Sequence, residues 1–255
     1  MRLVTWNVNS IRARRERVLS WLASQSPDVL CLQETKVTDD NFPYAPIGEL
    51  GYHVYTSGQR TYNGVAILSR EPLEDIHTTL DDVEPQPPAR FISGRWGRWS
   101  VVNVYVPNGG EMGSDKAAYK LSWLQRLRGY LERNHDPAEP VVVCGDFNVA
   151  PDDKDVARPD EWCAGVLCHP QMRAALQELT AWGLVDVFRR VHPEGGIYSW
   201  WDYQMLAFPK NNGLRIDLIL ATEAAAQHVR DAWVHRDERK GKKPSDHAPV
   251  VVDVE

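Results

Sequence analysis

The chain lacks the features that would send it to a membrane or an oxidising compartment. No run approaches the ~20 apolar residues of a membrane-spanning helix. The N-terminus has no basic stretch followed by an apolar one of signal length, so a reduced, cytoplasmic protein without a membrane partner is expected. The four cysteines, Cys31, Cys144, Cys163 and Cys168, show no Cys-x-x-Cys spacing. Cys31 and Cys144 lie inside apolar runs and read as small core residues, while Cys163, Cys168 and His169 lack the spacing of zinc ligands. An excess of basic charge is also missing. A net charge of −6 argues against coating nucleic acid by bulk charge, although phosphate contacts need only local basic groups. Two such groups exist, Arg12, Arg14, Arg15 and Arg17, then Arg236, Arg239, Lys240, Lys242 and Lys243; for each the plainer reading is a solvated face. Low-complexity tracts, short repeats and linkers are absent, so 255 residues, 43% of them apolar, read as a single domain over 1–255.

Apolar periodicity predicts strands at 2–8 and 29–32 about a helix at 12–25, which Pro27 ends and which turns Val18, Leu19 and Leu22 inward. Strands at 52–57 and 63–69 follow, then a rigid surface connection at Pro85, Pro87 and Pro88 and a hairpin of 90–96 and 99–106 about Gly97. Ser114 caps a helix over 115–133 with Leu121, Leu124, Leu127 and Leu131 in one stripe, and a strand follows at 141–145. Residues 149–168 read as polar and irregular, and 170–182 as a helix ending at Gly183. Strands are expected at 185–188, 197–202, 215–221, 229–236 and 248–254. So many strands interleaved with helices imply an α/β fold of two packed sheets covered by helices.

Several apolar runs close on polar side chains that a core does not need. The first ends in Trp6-Asn7, the second in Gln33-Glu34 and the run at 141–144 in Asp146 and Asn148, while Ser245-Asp246-His247 stands just before another. Carboxylates, amides and an Asp-His pair at strand ends are the equipment for metal-assisted attack of water on a phosphodiester. Glu34 alone would be an ordinary loop acid, but at a strand end among the others it suits Mg²⁺, which takes one or two carboxylates and substrate oxygens. Asp217 sits inside the apolar string Ile216-Asp217-Leu218-Ile219, and a buried carboxylate needs a partner. Arg215 and His247 are both open to it, and orienting the imidazole of His247 is the expectation. The other seven histidines lack such a setting and are expected at the surface. Tyr105 and Asn108 close one more run and would ordinarily be a core aromatic and a turn residue. Trp200 and Trp201 would ordinarily be core, or one of them can offer its face to a nucleotide or sugar.

The ordered segments Trp6-Asn7-Val8-Asn9-Ser10-Ile11-Arg12, Leu32-Gln33-Glu34-Thr35-Lys36, Asn63-Gly64-Val65, Tyr105-Val106-Pro107-Asn108-Gly109, Gly145-Asp146-Phe147-Asn148, Gly213-Leu214-Arg215-Ile216-Asp217 and Ser245-Asp246-His247-Ala248-Pro249 span essentially the whole chain. Together they resemble bacterial exonuclease III and the abasic-site endonucleases of the endonuclease/exonuclease/phosphatase superfamily. The resemblance implies a four-layer α/β sandwich, two mixed sheets flanked by helices, that cleaves double-stranded DNA at abasic sites or 3′ ends with Mg²⁺ or Mn²⁺, as a monomer. By that likeness Glu34 is the principal metal ligand, with Asn7 and Asp246 in or beside the shell. Asp146, helped by Asn148, prepares the attacking water. His247, held by Asp217, binds the scissile phosphate with Tyr105 and Asn108. Arg12, Arg17 and Tyr62 match positions that grip the DNA backbone, and Trp200, Leu214 and Ile216 match the pocket for an extruded sugar. Asn108 replaces a glutamine, Leu214 a tryptophan and Asn9 an aspartate of some relatives, and 158–170 aligns poorly. Two other readings stand beside this one. The first is a superfamily phosphoesterase acting on RNA or lipid. The second is a non-catalytic nucleic-acid-binding regulator, which should have lost Glu34, Asp146, Asp217 or His247; all four are present.

Overall fold

The computed structural model describes residues 1–80 and 87–255. Pro85 of the expected surface connection lies outside the described residues, and Pro87 and Pro88 sit half-buried in coil. In chain order the strands are β1 (Arg2–Asn7), β2 (Val29–Gln33), β3 (His53–Ser57), β4 (Val65–Ser69), β5 (Glu74–His77), β6 (Phe91–Trp96), β7 (Trp99–Tyr105), β8 (Val141–Asp146), β9 (Leu184–Asp186), β10 (Asp217–Thr222), β11 (Val229–Val234) and β12 (Val250–Val254). The helices are α1 (Ile11–Gln25), α2 (Tyr44–Gly48), α3 (Asp115–Asn134), α4 (Pro159–Trp162), α5 (Pro170–Thr180), α6 (Val187–Val191) and α7 (Glu223–Ala226). Two six-stranded sheets result, ordered β11-β12-β1-β2-β4-β3 and β5-β6-β7-β8-β10-β9. Each mixes one parallel pair, β1 with β2 and β7 with β8, into antiparallel neighbours.

The central strands are apolar on both faces, and their period of two sorts them into layers. Leu3, Val29, Cys31, Val65 and Ile67 of the first sheet meet Val101, Val142, Cys144, Ile219 and Ala221 of the second in one cluster between the sheets. The alternate residues Val4, Leu30, Leu32, Ala66 and Leu68 pack outward on Val18, Trp21 and Leu22 of α1. On the far side Val102, Val143, Leu218 and Leu220 pack on Leu124, Leu127 and Leu131 of α3 and Met172 and Leu176 of α5. The order helix, sheet, sheet, helix is the four-layer sandwich the resemblance implied. Ser10 and Ser114 cap α1 and α3 by accepting from Ala13 and Ala117 N–H.

One polar seam crosses the inter-sheet layer. Gln33 Nε2 donates to Asn103 Oδ1 at 2.7 Å and to Thr5 Oγ1 at 2.9 Å, while Asn103 Nδ2 donates to the carbonyls of Leu32 and Ala66 at 3.0 and 2.8 Å. Gln33 directly precedes Glu34, and Asn103 lies two residues before Tyr105, so this seam fixes both sheets just beneath their polar ends. The register does the rest, because Asn7 pairs with Gln33, Tyr105 with Asp146, and Asp146 with Asp217.

Several expectations need correction. The strand at 185–188 stops at Asp186, whose side chain accepts from Arg189 N–H and starts α6. Residues 197–202 form no strand; Trp200 makes only single bridges, to Leu214 and His247. The strand begun at 215 begins at Asp217 instead, and that begun at 229 ends at Val234 in a 3-10 turn. Polar β5 has no apolar alternation to announce it. Of the seven histidines expected at the surface His53 is exposed and the other six are half-buried; His235 accepts from Trp21 Nε1 at 2.9 Å. Among the described residues no helix is long and apolar enough to cross a membrane.

The 149–168 segment, expected to be polar and irregular, holds a 3-10 turn at Asp153–Asp155 and the short helix α4, and it is not superficial. Asp155, fully buried, takes the Arg215 Nε at 2.6 Å and also pairs with Arg189, and Arg215 reaches Asp186 Oδ2 at 2.7 Å. Arg215 is therefore engaged away from Asp217. Removing one partner of a buried ion cluster leaves an uncompensated charge. Asp155→Ala is accordingly expected to cost about 3–5 kcal/mol, seen as a lowered urea midpoint; a loss below about 1 kcal/mol would show the charges to be solvated.

Candidate active site

The polar ends of β1, β2, β7, β8 and β10 and the segment before β12 converge at one edge of the sandwich. Asn7 Nδ2 donates to Glu34 Oε1 at 3.0 Å and to Asp146 Oδ2 at 2.8 Å, joining the two sheets through one amide. Its Oδ1 accepts from Asn9 N–H at 3.0 Å. Tyr105 Oη donates to the same Glu34 oxygen at 2.9 Å. Lys36 Nζ lies 2.7 Å from Glu34 Oε2 and 2.6 Å from Asn9 Oδ1. Glu34 and Lys36 both have left-handed backbone, φ 51° and 55°. Thr35 and Lys36 N–H donate to Gly64 and Asn63 carbonyls at 3.0 and 2.9 Å and hold that strained turn in place.

Asp146 is the hub. Its Oδ1 accepts from Asn148 N–H at 2.9 Å, its Oδ2 from Asn7 and, at 3.3 Å, from Asn148 Nδ2. His247 Nε2 faces Oδ2 at 3.8 Å, while His247 Nδ1 lies 2.8 Å from Asp217 Oδ2. Burial pushes the Asp146 carboxyl up to about 7, with the charges of Asp217 and Glu34 adding to it and His247 and Asn7 opposing. For His247 burial works downward, but the charges of Asp217 and Asp146 outweigh it and lift the imidazole to about 10. Glu34 is raised by burial and lowered further by Asn7 and Lys36, ending below the ordinary carboxylate range. Burial and the charges of Glu34 and Asp146 keep the Tyr105 phenol protonated.

Ligand-type atoms of Glu34, Asp146 and His247 lie within 4.8 Å of one another. A hard cation suits carboxylate oxygens rather than an imidazole, and Glu34 offers such oxygens beside Asp146. Asp246 stands apart from that trio. Its carboxylate accepts from Asn9 Nδ2 and Trp200 Nε1, both at 3.0 Å. Burial raises it, but His247, Trp200 and Asn9 outweigh burial and leave it low. Ser245 Oγ donates to the Asn7 carbonyl at 2.7 Å and ties this strip to β1.

The remaining expected residues divide. Asn108 is exposed, and its Nδ2 donates to Asn148 Oδ1 at 3.2 Å. Arg12 is exposed and Tyr62 is 69% exposed. Arg17 is engaged elsewhere, with Glu238 Oε2 at 2.8 Å and the Lys240 carbonyl at 2.8 Å. Trp200 is half-buried, Trp201 is wholly buried, and Leu214 and Ile216 have almost no accessible surface. Sequence reasoning gave no role to Lys120, whose buried ammonium donates to the Asn148 and Asn108 carbonyls at 2.6 and 3.0 Å. Burial lowers that amine to about 7. Its signal was present, since Lys120 stands four, seven and eleven residues before Leu124, Leu127 and Leu131, on the buried stripe of α3.

A buried acid, a cation-ready carboxylate and a histidine held by a second acid, all at the meeting edge of two sheets, define a metal-assisted phosphoesterase. Residues 4–247 match the Endonuclease/Exonuclease/phosphatase family, and the chain belongs to it. It is 35% identical over 262 residues to exodeoxyribonuclease III of Haemophilus influenzae, covering 98% of both chains. It superposes with a TM-score of 0.97 on an AP endonuclease from Archaeoglobus fulgidus, at 42% identity over 100% of this chain and 99% of that one. A 3′-5′ exonuclease from Neisseria meningitidis matches with a TM-score of 0.96 at 40% identity, over 100% of each chain.

Proposed function

We propose that this chain is a DNA-repair phosphodiesterase that incises duplex DNA 5′ to abasic sites and shortens 3′ ends, acting in the cytoplasm as a monomer with 1–255 as one catalytic unit. The observation that carries the reading is the convergence of Asn7, Asn148 and His247 on the buried Asp146 carboxylate, beside Glu34. Glu34 would hold Mg²⁺ or Mn²⁺, with Asn7 and Asp246 in or beside the shell, because a hard cation suits oxygen donors. When bound, the cation supplies charge neutralisation at the phosphate and the leaving oxygen. Asp146 takes the proton of the attacking water, and Asn7 and Asn148 aim its carboxylate. His247, kept cationic by Asp217, donates to a phosphate oxygen as charge develops there, and the Tyr105 hydroxyl and Asn108 amide contact the same phosphate. Arg12 and Tyr62 meet the DNA backbone, while Arg17 braces the turn at Glu238. Trp200, Leu214 and Ile216 mark the place of an abasic sugar, which costs little to extrude because it has no stacked or paired base.

Cleavage of two labelled duplexes in Mg²⁺ tests the reading, with EDTA as control. One duplex carries an internal abasic analogue and the other a recessed 3′ end. Metal-dependent incision 5′ to the analogue and a 3′ ladder are expected; survival of both duplexes would overturn the assignment. Glu34→Gln should weaken metal binding by at least about 10- to 100-fold, the cost of altering a residue that only orients a metal ligand. The expected sign is a cleavage-against-Mg²⁺ curve displaced to higher concentration. An undisplaced curve would move the cation away from Glu34.

A further inference from the structure

Two loops carry polar groups that surround Asp146, and one buried cation ties them together. Residues 106–114 link β7 to α3 and bear Asn108, while residues 147–150 follow β8 and bear Asn148. Their side chains touch: Asn108 Nδ2 donates to Asn148 Oδ1 at 3.2 Å, and Asn148 Nδ2 donates to the Val106 carbonyl at 3.0 Å. From α3, Lys120 Nζ donates to the Asn148 carbonyl at 2.6 Å and to the Asn108 carbonyl at 3.0 Å. Asn148 gives its carbonyl to Lys120 and its N–H and side chain to Asp146, an arrangement that its left-handed backbone at φ 51° allows. Gly109, at φ 93°, leaves room for the lysine stem, since a Cβ there would fall 2.9 Å from Lys120 Cδ.

Lys120 is ill placed for stability alone. It is wholly inaccessible, on the buried face of α3 in line with Leu124, Leu127 and Leu131. Among the described residues no carboxylate pairs with it, and its partners are those two carbonyls. The charge of Asp146 acts on it from farther off. Burying an ammonium costs folding energy that carbonyls alone offset incompletely. A methionine there would extend the apolar stripe at nearly the same volume. What a long cation adds is two charge-assisted hydrogen bonds from one atom to two separate loops. The clamp also closes on itself, because the first loop runs directly into the helix that carries Lys120.

We propose that Lys120 is a positioning residue: it fixes the spacing between the Asn108 amide that meets the phosphate and the Asn148 amide that aims the Asp146 carboxylate. The proposal rests on the nuclease reading above for what these amides act on. Lys120 is wholly buried and cannot touch substrate, so its effect passes through the two main chains. Without it the loops keep their side-chain contacts, but the peptide groups behind them lose their common anchor. A displacement of about 1 Å at such groups is enough to slow a reaction by about 100-fold.

The test compares the wild-type chain with Lys120→Met and Lys120→Gln, in Mg²⁺, by single-turnover cleavage of the two duplexes at saturating enzyme. A chain that is merely less stable keeps the wild-type rate constant once folded enzyme saturates the DNA. Lys120→Met should lower that constant by about 10- to 100-fold, with DNA affinity in EDTA changed less than the rate. Lys120→Gln, which keeps N–H donors on a shorter stem, should lose less, and it reads the same effect if Lys120→Met does not fold. In an Asn108→Ala background Lys120→Met should cost less than in wild type, since one of the two amides it positions is already gone. A wild-type rate constant in Lys120→Met, or equal losses in both backgrounds, overturns the proposal. Hydrogen exchange read by mass spectrometry needs no cleavage. Lys120→Met should exchange faster than wild type at 106–114 and 147–150 but not at 29–36, and equal exchange at both loops overturns the proposal. Faster exchange there, in a protein whose wild type cleaves neither duplex, would sink the nuclease reading and leave the clamp standing.

Discussion

Asp146→Asn is expected to lower cleavage of both DNA substrates by about 10³- to 10⁴-fold. The substitution keeps size and shape, so folding should be little altered, but it removes the one carboxylate on which Asn7, Asn148 and His247 converge. A base works best when its pKa lies near the working pH, and burial places this carboxyl at about 7. An amide there has no useful basicity. Its own N–H₂ would also confront the Asn7 Nδ2 or Asn148 donors, which now point at oxygen. Single-turnover rates with saturating DNA isolate the chemical step, and a loss of less than about tenfold would reassign the water-activating role to another group.

Much of this cage is legible in the sequence because strands with both faces buried are continuous apolar runs, and the first polar residue after each run must emerge at a sheet edge. Asn7, Glu34, Asp146 and Asn148 declare themselves that way. What one strand's pattern does not contain is its partner. Two acids, Asp155 and Asp217, each end fully buried. Asp217 sits in an apolar string and announces its burial, whereas Asp155 lies in Asp152-Asp153-Lys154-Asp155, which looks like solvated loop. Its burial follows from Arg215 and Arg189, 60 and 34 residues away. A strand that included Arg215 would leave it open to pairing with Asp217; the strand begins at Asp217, and Arg215 turns to Asp155 and Asp186.

Backbone conformation is the second thing that composition hides. Glu34 and Lys36 place a carboxylate and an ammonium together because both adopt positive φ about Thr35. Neither residue type favours that region, and the carbonyls that stabilise it belong to Asn63 and Gly64. Gly64 itself is required: at φ 88° a Cβ would fall 2.1 Å from Thr35 Oγ1. Asn63-Gly64 was visible as a family block, but its physical task, bracing the Glu34 turn, appears only when the chain is folded. The contact between Trp162 and Trp200 is likewise a tertiary fact, since the two are 38 residues apart and meet only through packing.

Asp217→Asn should convert a flat alkaline pH profile into one that falls near neutrality. In the wild-type chain the charge of Asp217, its bond to Nδ1 and the charge of Asp146 together keep His247 protonated up to about pH 10. Below that pH the imidazolium is present and can donate to the phosphate, so the histidine imposes no loss between pH 7 and 9. Asparagine removes the largest of the raising influences, while the burial that lowers the imidazole remains. The imidazolium is then lost as pH rises through a pKa moved down toward the ordinary value of about 6.5. Cleavage should be weakened by up to about 30-fold at pH 8, the factor by which the imidazolium is depleted for a pKa near 6.5, and should partly recover at pH 6. His247→Asn should show a larger loss at pH 8, about 10²- to 10³-fold, the usual size of a lost transition-state donor, and no recovery on acidification, because no group remains to protonate. The pair of profiles separates electrostatic support of the imidazolium from a merely structural role for Asp217. Equal losses at pH 6 and pH 8 in Asp217→Asn would mean that the acid holds the ring in place without holding its charge.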